Sequence, residues 1–416
     1  MPSVSLYFRV HIPYRLKLFP KRTNAGTGTL FDLTANECAI NKLADECYLP
    51  ANKILQELIK SNKGKFNITF SISGTAIELL QQYRPDVLDS FKALADTGSV
   101  EFLAETYYNS LSWLHSKAEF KRQVEMHHKK IEQIFGSTPV VFRNTELIYN
   151  NELADFMTAM GYKGILCEGL ESILNGRTPN QLYAAPGNNE IKIFLRNTRL
   201  SDDIAFRFDD ATWNEQPLTA EKFAGWIHTH DENTSSIHLY FDYESFGVYK
   251  KADTGIFDFL KNLPAAVMAN ENWIFETPSA LINRDYPKDI FDAPQIISWQ
   301  NKSPDNCIWS ENAMQRSSIY KTYHIQNMVQ KTNCANAMEY WGHLQSADHF
   351  FCMSEQRKMV NDVYFNLCPF TSADEAHQHY RNIITEFEIH LIQQGLEAFR
   401  TIRRKEGVYH LYADAN

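Results

Sequence analysis

No stretch of this chain strings together the roughly 18 apolar residues that a membrane-spanning helix needs, so no membrane partner is expected. The N-terminal "MPSVSLYFRVHIPYRL" holds only a short apolar run, broken by Arg9 and closed by Pro13. No small-residue cleavage site follows, so the segment does not read as a secretory signal. The seven cysteines (Cys38, Cys47, Cys167, Cys307, Cys334, Cys352 and Cys368) are odd in number and irregularly spaced. They lack the CxxC pairs of a structural zinc site and read as reduced thiols in a cytoplasmic protein. The formal net charge of -9 is spread without a basic stripe that could neutralise phosphates, which argues against nucleic acid as a partner. Internal repeats, low-complexity tracts and a long flexible linker are also missing.

What is present is a chain of 416 residues, 44% of them hydrophobic, long enough for a large core and two or three structural units. Strand-like runs at 4–10, 66–72, 99–105, 139–145, 163–169 and 237–242 alternate with helical patterns at about 37–61, 75–96, 117–135, 151–160 and 219–230. This alternation predicts a parallel sheet with crossover helices. One more strand, or a hairpin, is expected within 189–206. The strands end in polar residues and no glycine-rich first turn follows them, so a closed or nearly closed barrel fits better than an open nucleotide-binding sheet. Beyond about residue 305 the pattern becomes helical, at roughly 312–332, 335–354 and 371–405.

Side chains alternate faces along a strand. On "IHLYFDYESFG" (237–247), His238, Tyr240, Asp242 and Glu244 therefore share one face, while Leu239, Phe241 and Tyr243 share the other. The same parity groups Tyr7, Arg9 and His11 on the first strand, Glu101, Leu103 and Glu105 on "SVEFLAE", and Asn144 with Glu146 after "PVVFR". In barrels of this kind the reacting groups sit at the C-terminal strand ends. Paired carboxylates there, without a metal or cofactor motif, point to chemistry at a glycosidic bond: one acid attacks the sugar and the other protonates the leaving oxygen. The competing metal-dependent reading would use His228, His230 and Asp231 of "IHTHDE". That triplet falls at a helix end, and His127-His128 falls mid-helix, where neighbours point apart.

The segments "HIPYRL" (11–16), "GSVEFLAETYYNSLS" (98–112), "VFRNTELIYNNELA" (141–154), "FDYESFG" (241–247) and "LQSADHFFCMS" (344–354) resemble those of glycoside hydrolase family 57, in that family's order. The nearest type is its intracellular bacterial and archaeal α-amylase-like members. The resemblance implies an α/β protein: an incomplete (β/α)7 barrel over 1–305, then a helical region over 306–416 that closes the cleft. It further implies a retaining enzyme acting on α-1,4-glucans without a cofactor, with Glu146 as nucleophile and Asp242 as acid/base. A 4-α-glucanotransferase or a catalytically silent glucan binder is the alternative. Expected substrate contacts are His11, Glu101, Glu105, Glu244, Trp299, Trp309, Asp348 and His349. The chain departs from the family's usual residues at Ile12, Asn109, Val248, Tyr249 and Lys250.

Overall fold

Strand β1 (Ser3–Val10) is buried along its whole length, as expected of a parallel strand covered on both faces. It sits between β2 (Ile68–Ile72) and β8 (Ser236–Asp242), parallel to both. The computed structural model describes residues 1–18, 30–230, 234–300, 309–356 and 368–405, with side chains to residue 396. From β2 the sheet continues to β3 (Val100–Phe102). Strand β4 (Val141–Arg143) pairs with β5 (Gly164–Glu168), and β5 with β7 (Asn188–Arg196). All these pairings are parallel. Two thin seams join the runs: the bridge Ala104 to Phe142 between β3 and β4, and the pair Arg196 to His238 between β7 and β8. The result is an incomplete (β/α)7 barrel, as expected. The short strands β6 (Tyr183–Ala185), antiparallel to β7, β9 (Ile274–Phe275) and β10 (Asp289–Ile290) extend the sheet outside the ring.

The interior is built in layers. Tyr7, Val141, Leu166, Phe194 and Tyr240, one from each of five strands, and Leu103, just past β3, pack with Leu147, Leu182 and Leu281 into an apolar plug. Two residues further along the same strands come Arg9, Glu105, Arg143, Glu168, Arg196 and Asp242, so parity carries charge to the layer above the plug. The opposite face is aromatic: Phe8 touches Phe70, Phe241, Tyr243 and Phe246.

Several elements depart from the sequence-based expectation. The helical pattern at 37–61 is interrupted by a π-helical turn, Ala44–Tyr48, between Leu33–Leu43 and Leu49–Asn62. The one at 75–96 breaks at Arg84, because Pro85 disfavours helical geometry in the residue before it and starts the next helix. Within 189–206 the structure has β7, which forms the hairpin with β6, followed by an unanticipated helix, Thr198–Ala205, capped by Asn197 Oδ1 on Leu200 N.

The chain divides into two compact units, Met1–Pro13 with Thr34–Ile308, and Tyr14–Leu33 with Trp309–Asn416. The sequence pattern alone puts the boundary at 305/306 and assigns the early segment to the barrel. That segment joins the helical unit because Tyr14 and Phe31 pack on His343, at ring separations of 3.9 and 5.4 Å. The long helix Ala373–Lys405 completes this unit, and the Tyr380 hydroxyl ties it to Thr322 Oγ1 and to Leu344 O, each at 2.7 Å.

Candidate active site

Arg9 stands on β1 between the two acids singled out from the sequence. Its Nη1 donates to Asp242 Oδ1 at 3.0 Å and its Nη2 to Glu146 Oε1 at 3.3 Å. The side chains of Arg9, Glu146 and Asp242 are 8%, 8% and 12% exposed, so these charges are largely withdrawn from water and depend on one another. A single guanidinium fork thus brings the two carboxyl groups together.

Glu146 lies in a 3-10 turn after β4 with φ 54° and ψ 27°, and Leu147 repeats the positive φ. A non-glycine residue in this region costs roughly 1–3 kcal/mol, and such strain gathers at functional sites. The turn is held by its surroundings. Asn144 Oδ1 accepts from Thr145 N at 2.9 Å, Asn144 Nδ2 donates to Ile148 O at 3.0 Å, and the Thr145 hydroxyl meets that of Thr106 at 2.7 Å. Trp299 Nε1 donates to the second Glu146 oxygen, Oε2, at 2.7 Å, while its ring stacks on Phe206. Donors on both oxygens make a setting complementary to a carboxylate.

A second ion pair lies alongside. Arg143 is paired with Glu105 and also donates to Ser71 Oγ and Asn144 O, at 3.1 and 3.2 Å. Its cation acts on Glu146 and Asp242, while burial draws its own pKa down. His127, expected to be a poor chelate, has a structural task here: Nε2 donates to Ile72 O and Nδ1 accepts from Glu105 N. Burial pushes its pKa down to about 4, so the ring is neutral.

Glu244 lies in the 3-10 turn that directly follows β8 and accepts from the Tyr48 hydroxyl of the π-helical turn. Burial first, and the Asp242 charge second, push its carboxyl up to about 8. The folded state therefore holds a proton that the unfolded chain gives up near pH 4.5. The associated stability is full below that pH and is lost as pH rises towards 8. Glu244→Gln, which keeps the acceptor for Tyr48, should remove this loss. The Tm of the variant minus that of wild type is expected to grow from pH 5 to pH 9, and a flat difference would contradict a protonated Glu244. In the same segment Gly247 has φ 114°, and a Cβ there would sit 1.9 Å from Glu46 O, so "FDYESFG" requires its glycine.

The other expected residues are distributed as follows. His11 ends β1's inward row, with Nδ1 at 2.8 Å from Ser73 Oγ. Glu101 is not brought to the cluster: it lies on the other side of Leu103 from Glu105, and its oxygens accept from Ser279 N and Oγ at 2.9 and 2.6 Å. It serves the start of the helix Pro278–Arg284. Glu105 is taken up by Arg143 and Ser71. Trp309, Asp348 and His349 belong to the second unit. There Trp309 is buried, Asp348 Oδ2 accepts from Ser346 Oγ at 2.6 Å, and His349 Nε2 donates to His343 O at 3.1 Å. Lys250 is buried against Asp209 at 2.5 Å. Of the metal-type triplet, His228 bonds Val267 O and His230 bonds Asn180, while Asp231 is outside the described residues. Sequence reasoning missed Arg9 as a bridge, along with Tyr48 and Arg143. The one available signal was the parity that put Arg9 in line with Tyr7 and His11.

The sequence profile described as "Glycosyl hydrolase family 57" matches residues 5–294. The chain belongs to glycosyl hydrolase family 57. A protein of Methanocaldococcus jannaschii with the description "Putative alpha-amylase" is 36% identical over 97% of this chain and 88% of its own length. Among solved structures, an α-amylase of Thermotoga maritima has a TM-score of 0.64 at 13% identity, covering 98% of this chain and 97% of that one. A 4-α-glucanotransferase of Thermococcus litoralis has a TM-score of 0.62 at 17% identity over 84% of this chain, which spans 56% of that protein. These two likenesses concern the fold. Membership of family 57 supports a glycoside-active enzyme, and the Arg9 cluster lies at the C-terminal end of the barrel, the end where reacting groups sit in such folds.

Proposed function

We propose that this family 57 member is a retaining hydrolase of α-1,4-glucans working by double displacement. The observation that carries the reading is the Arg9 fork, which holds Glu146 and Asp242 at one point above the plug. In the first step Glu146 attacks the anomeric carbon while Asp242 protonates the departing glycosidic oxygen. Water, deprotonated by Asp242, then releases the sugar from Glu146 with the original configuration. Arg9 and Trp299 act as positioning residues, because they fix the carboxylates rather than supply a reacting atom. A double-displacement pair is expected about 5–5.5 Å apart, and one guanidinium contacting both acids suits such a short separation.

The test is to incubate the protein with maltooligosaccharides and follow the products and their first-formed anomer. Shorter α-anomers support the proposal, β-anomers sink it, and products longer than the substrate would move it to transfer. Asp242→Asn is expected to lower kcat on unactivated glucans about 10²–10⁴-fold, the usual contribution of a general acid/base. Aryl maltosides with good leaving groups should lose far less in the first step, since their departing oxygen needs no proton. Equal losses on both substrate types would remove Asp242 from the acid role.

A further inference from the structure

A cavity of about 690 Å³ opens in the barrel unit, and neither Glu146 nor Asp242 is among its lining residues. Thr178 and Asn180 of the loop after β5, Arg199 and Asp202 of the helix Thr198–Ala205, and Trp226 and His230 at the end of the helix Ala220–His228 are among its lining residues. The helix Thr198–Ala205 runs along one wall of the cavity. Thr198, Arg199, Leu200 and Asp202 of this helix and Arg207 just past it border the cavity, while Phe206 between them stacks on the tryptophan that holds Glu146.

We infer that this cavity is a second saccharide site, which holds a neutral oligosaccharide segment while another part of the same or another glucan occupies the catalytic centre. The inference rests on the glucan reading above for its ligand class. The volume falls within the roughly 300–1,000 Å³ of small-molecule sites. The half-buried indole of Trp226 is braced by Phe223 and Trp213, each at a centroid distance of 6.0 Å, which leaves a rigid plate for the C–H face of a sugar ring. Among the described lining residues Arg199 and Arg207 are balanced by Glu171 and Asp202, a composition that does not favour a polyanion. Asp202 is fixed by Arg196 through Oδ1 at 2.5 Å and presents a carboxylate to ring hydroxyls. Arg196 is itself anchored by buried Glu168, so the floor is rigid. Gly169 allows the loop to close down here, since a Cβ would meet Arg196 O at 2.6 Å.

The test uses the full chain in native gels cast with glycogen, together with turnover of maltotriose. Trp226→Ala should weaken retardation about tenfold in apparent Kd, as loss of one stacking plate implies. Thr229→Trp, which fills the rim, should do the same. Both variants should keep wild-type kcat/KM on maltotriose, since neither Glu146 nor Asp242 lines the cavity. Retardation of both variants equal to wild type, or no retardation of wild type, overturns the site. Retardation that depends on Trp226 in a protein that turns over no glucan would sustain this site and defeat the catalytic proposal instead.

Discussion

Replacing Glu146 with glutamine is expected to lower kcat on maltooligosaccharides by about four orders of magnitude, ~5.4 kcal/mol of barrier, because the proposed attacking group is gone. Glucan binding should change little, since the amide has the carboxylate's shape. A rescue experiment sharpens the assignment. The φ of 54° at this position favours glycine over alanine, so Glu146→Gly removes the side chain and relieves the backbone strain together. With azide added, that variant should form a glycosyl azide of inverted configuration, the small anion attacking where the carboxylate stood. Residual activity above a tenth of wild type in Glu146→Gln, or no rescue of the glycine variant, would place the nucleophile elsewhere.

Arg9→Met should damage stability and catalysis at once. Two buried carboxylates lose the cation between them, and breaking such a pair costs about 3–5 kcal/mol, which a urea midpoint would register. The catalytic loss is expected to be about 10²-fold or more, because the carboxylates repel one another and a shift of about 1 Å suffices for that. Adding Glu146→Gln to Arg9→Met should recover part of the lost stability, since one stranded charge has been neutralised. If the single and double variants are equally unstable, Arg9 does not act as the bridge. Arg9→Lys should restore charge without activity, because one ammonium cannot reproduce a fork that reaches both acids.

Much of the barrel was legible because period-two alternation is local. The parity of β1 and β8 was enough to put Arg9 and Asp242 on the inward face. That rule failed for Glu101 and Glu105, which share a face yet serve different layers, with Leu103 of the plug between them. Nothing local tells that Glu101 meets Ser279, 178 positions away, or that Trp299 meets Glu146 across 153. The strained turn at Glu146 was equally hidden, since no glycine marks it. Its conformation is imposed by Asn144, Thr106 and Trp299 rather than by its own preference. The helix Thr198–Ala205 lay in a region read as strand or hairpin, although Asn197 supplied a capping residue that could have announced it.

The seams in the ring of strands bear on when activity exists at all. Strands β8, β1, β2 and β3 form one continuous stave, and β4, β5 and β7 another. Arg9 and Asp242 ride on the first, whereas Glu146 follows the second. Neither stave owns a working pair, so the contact from Arg9 to Glu146 is a stitch across the join. On the proposed mechanism, a breathing motion that parts the staves by a few ångströms would abolish turnover while each keeps its secondary structure. Turnover by this pair would thus report closure of the ring rather than folding of its parts.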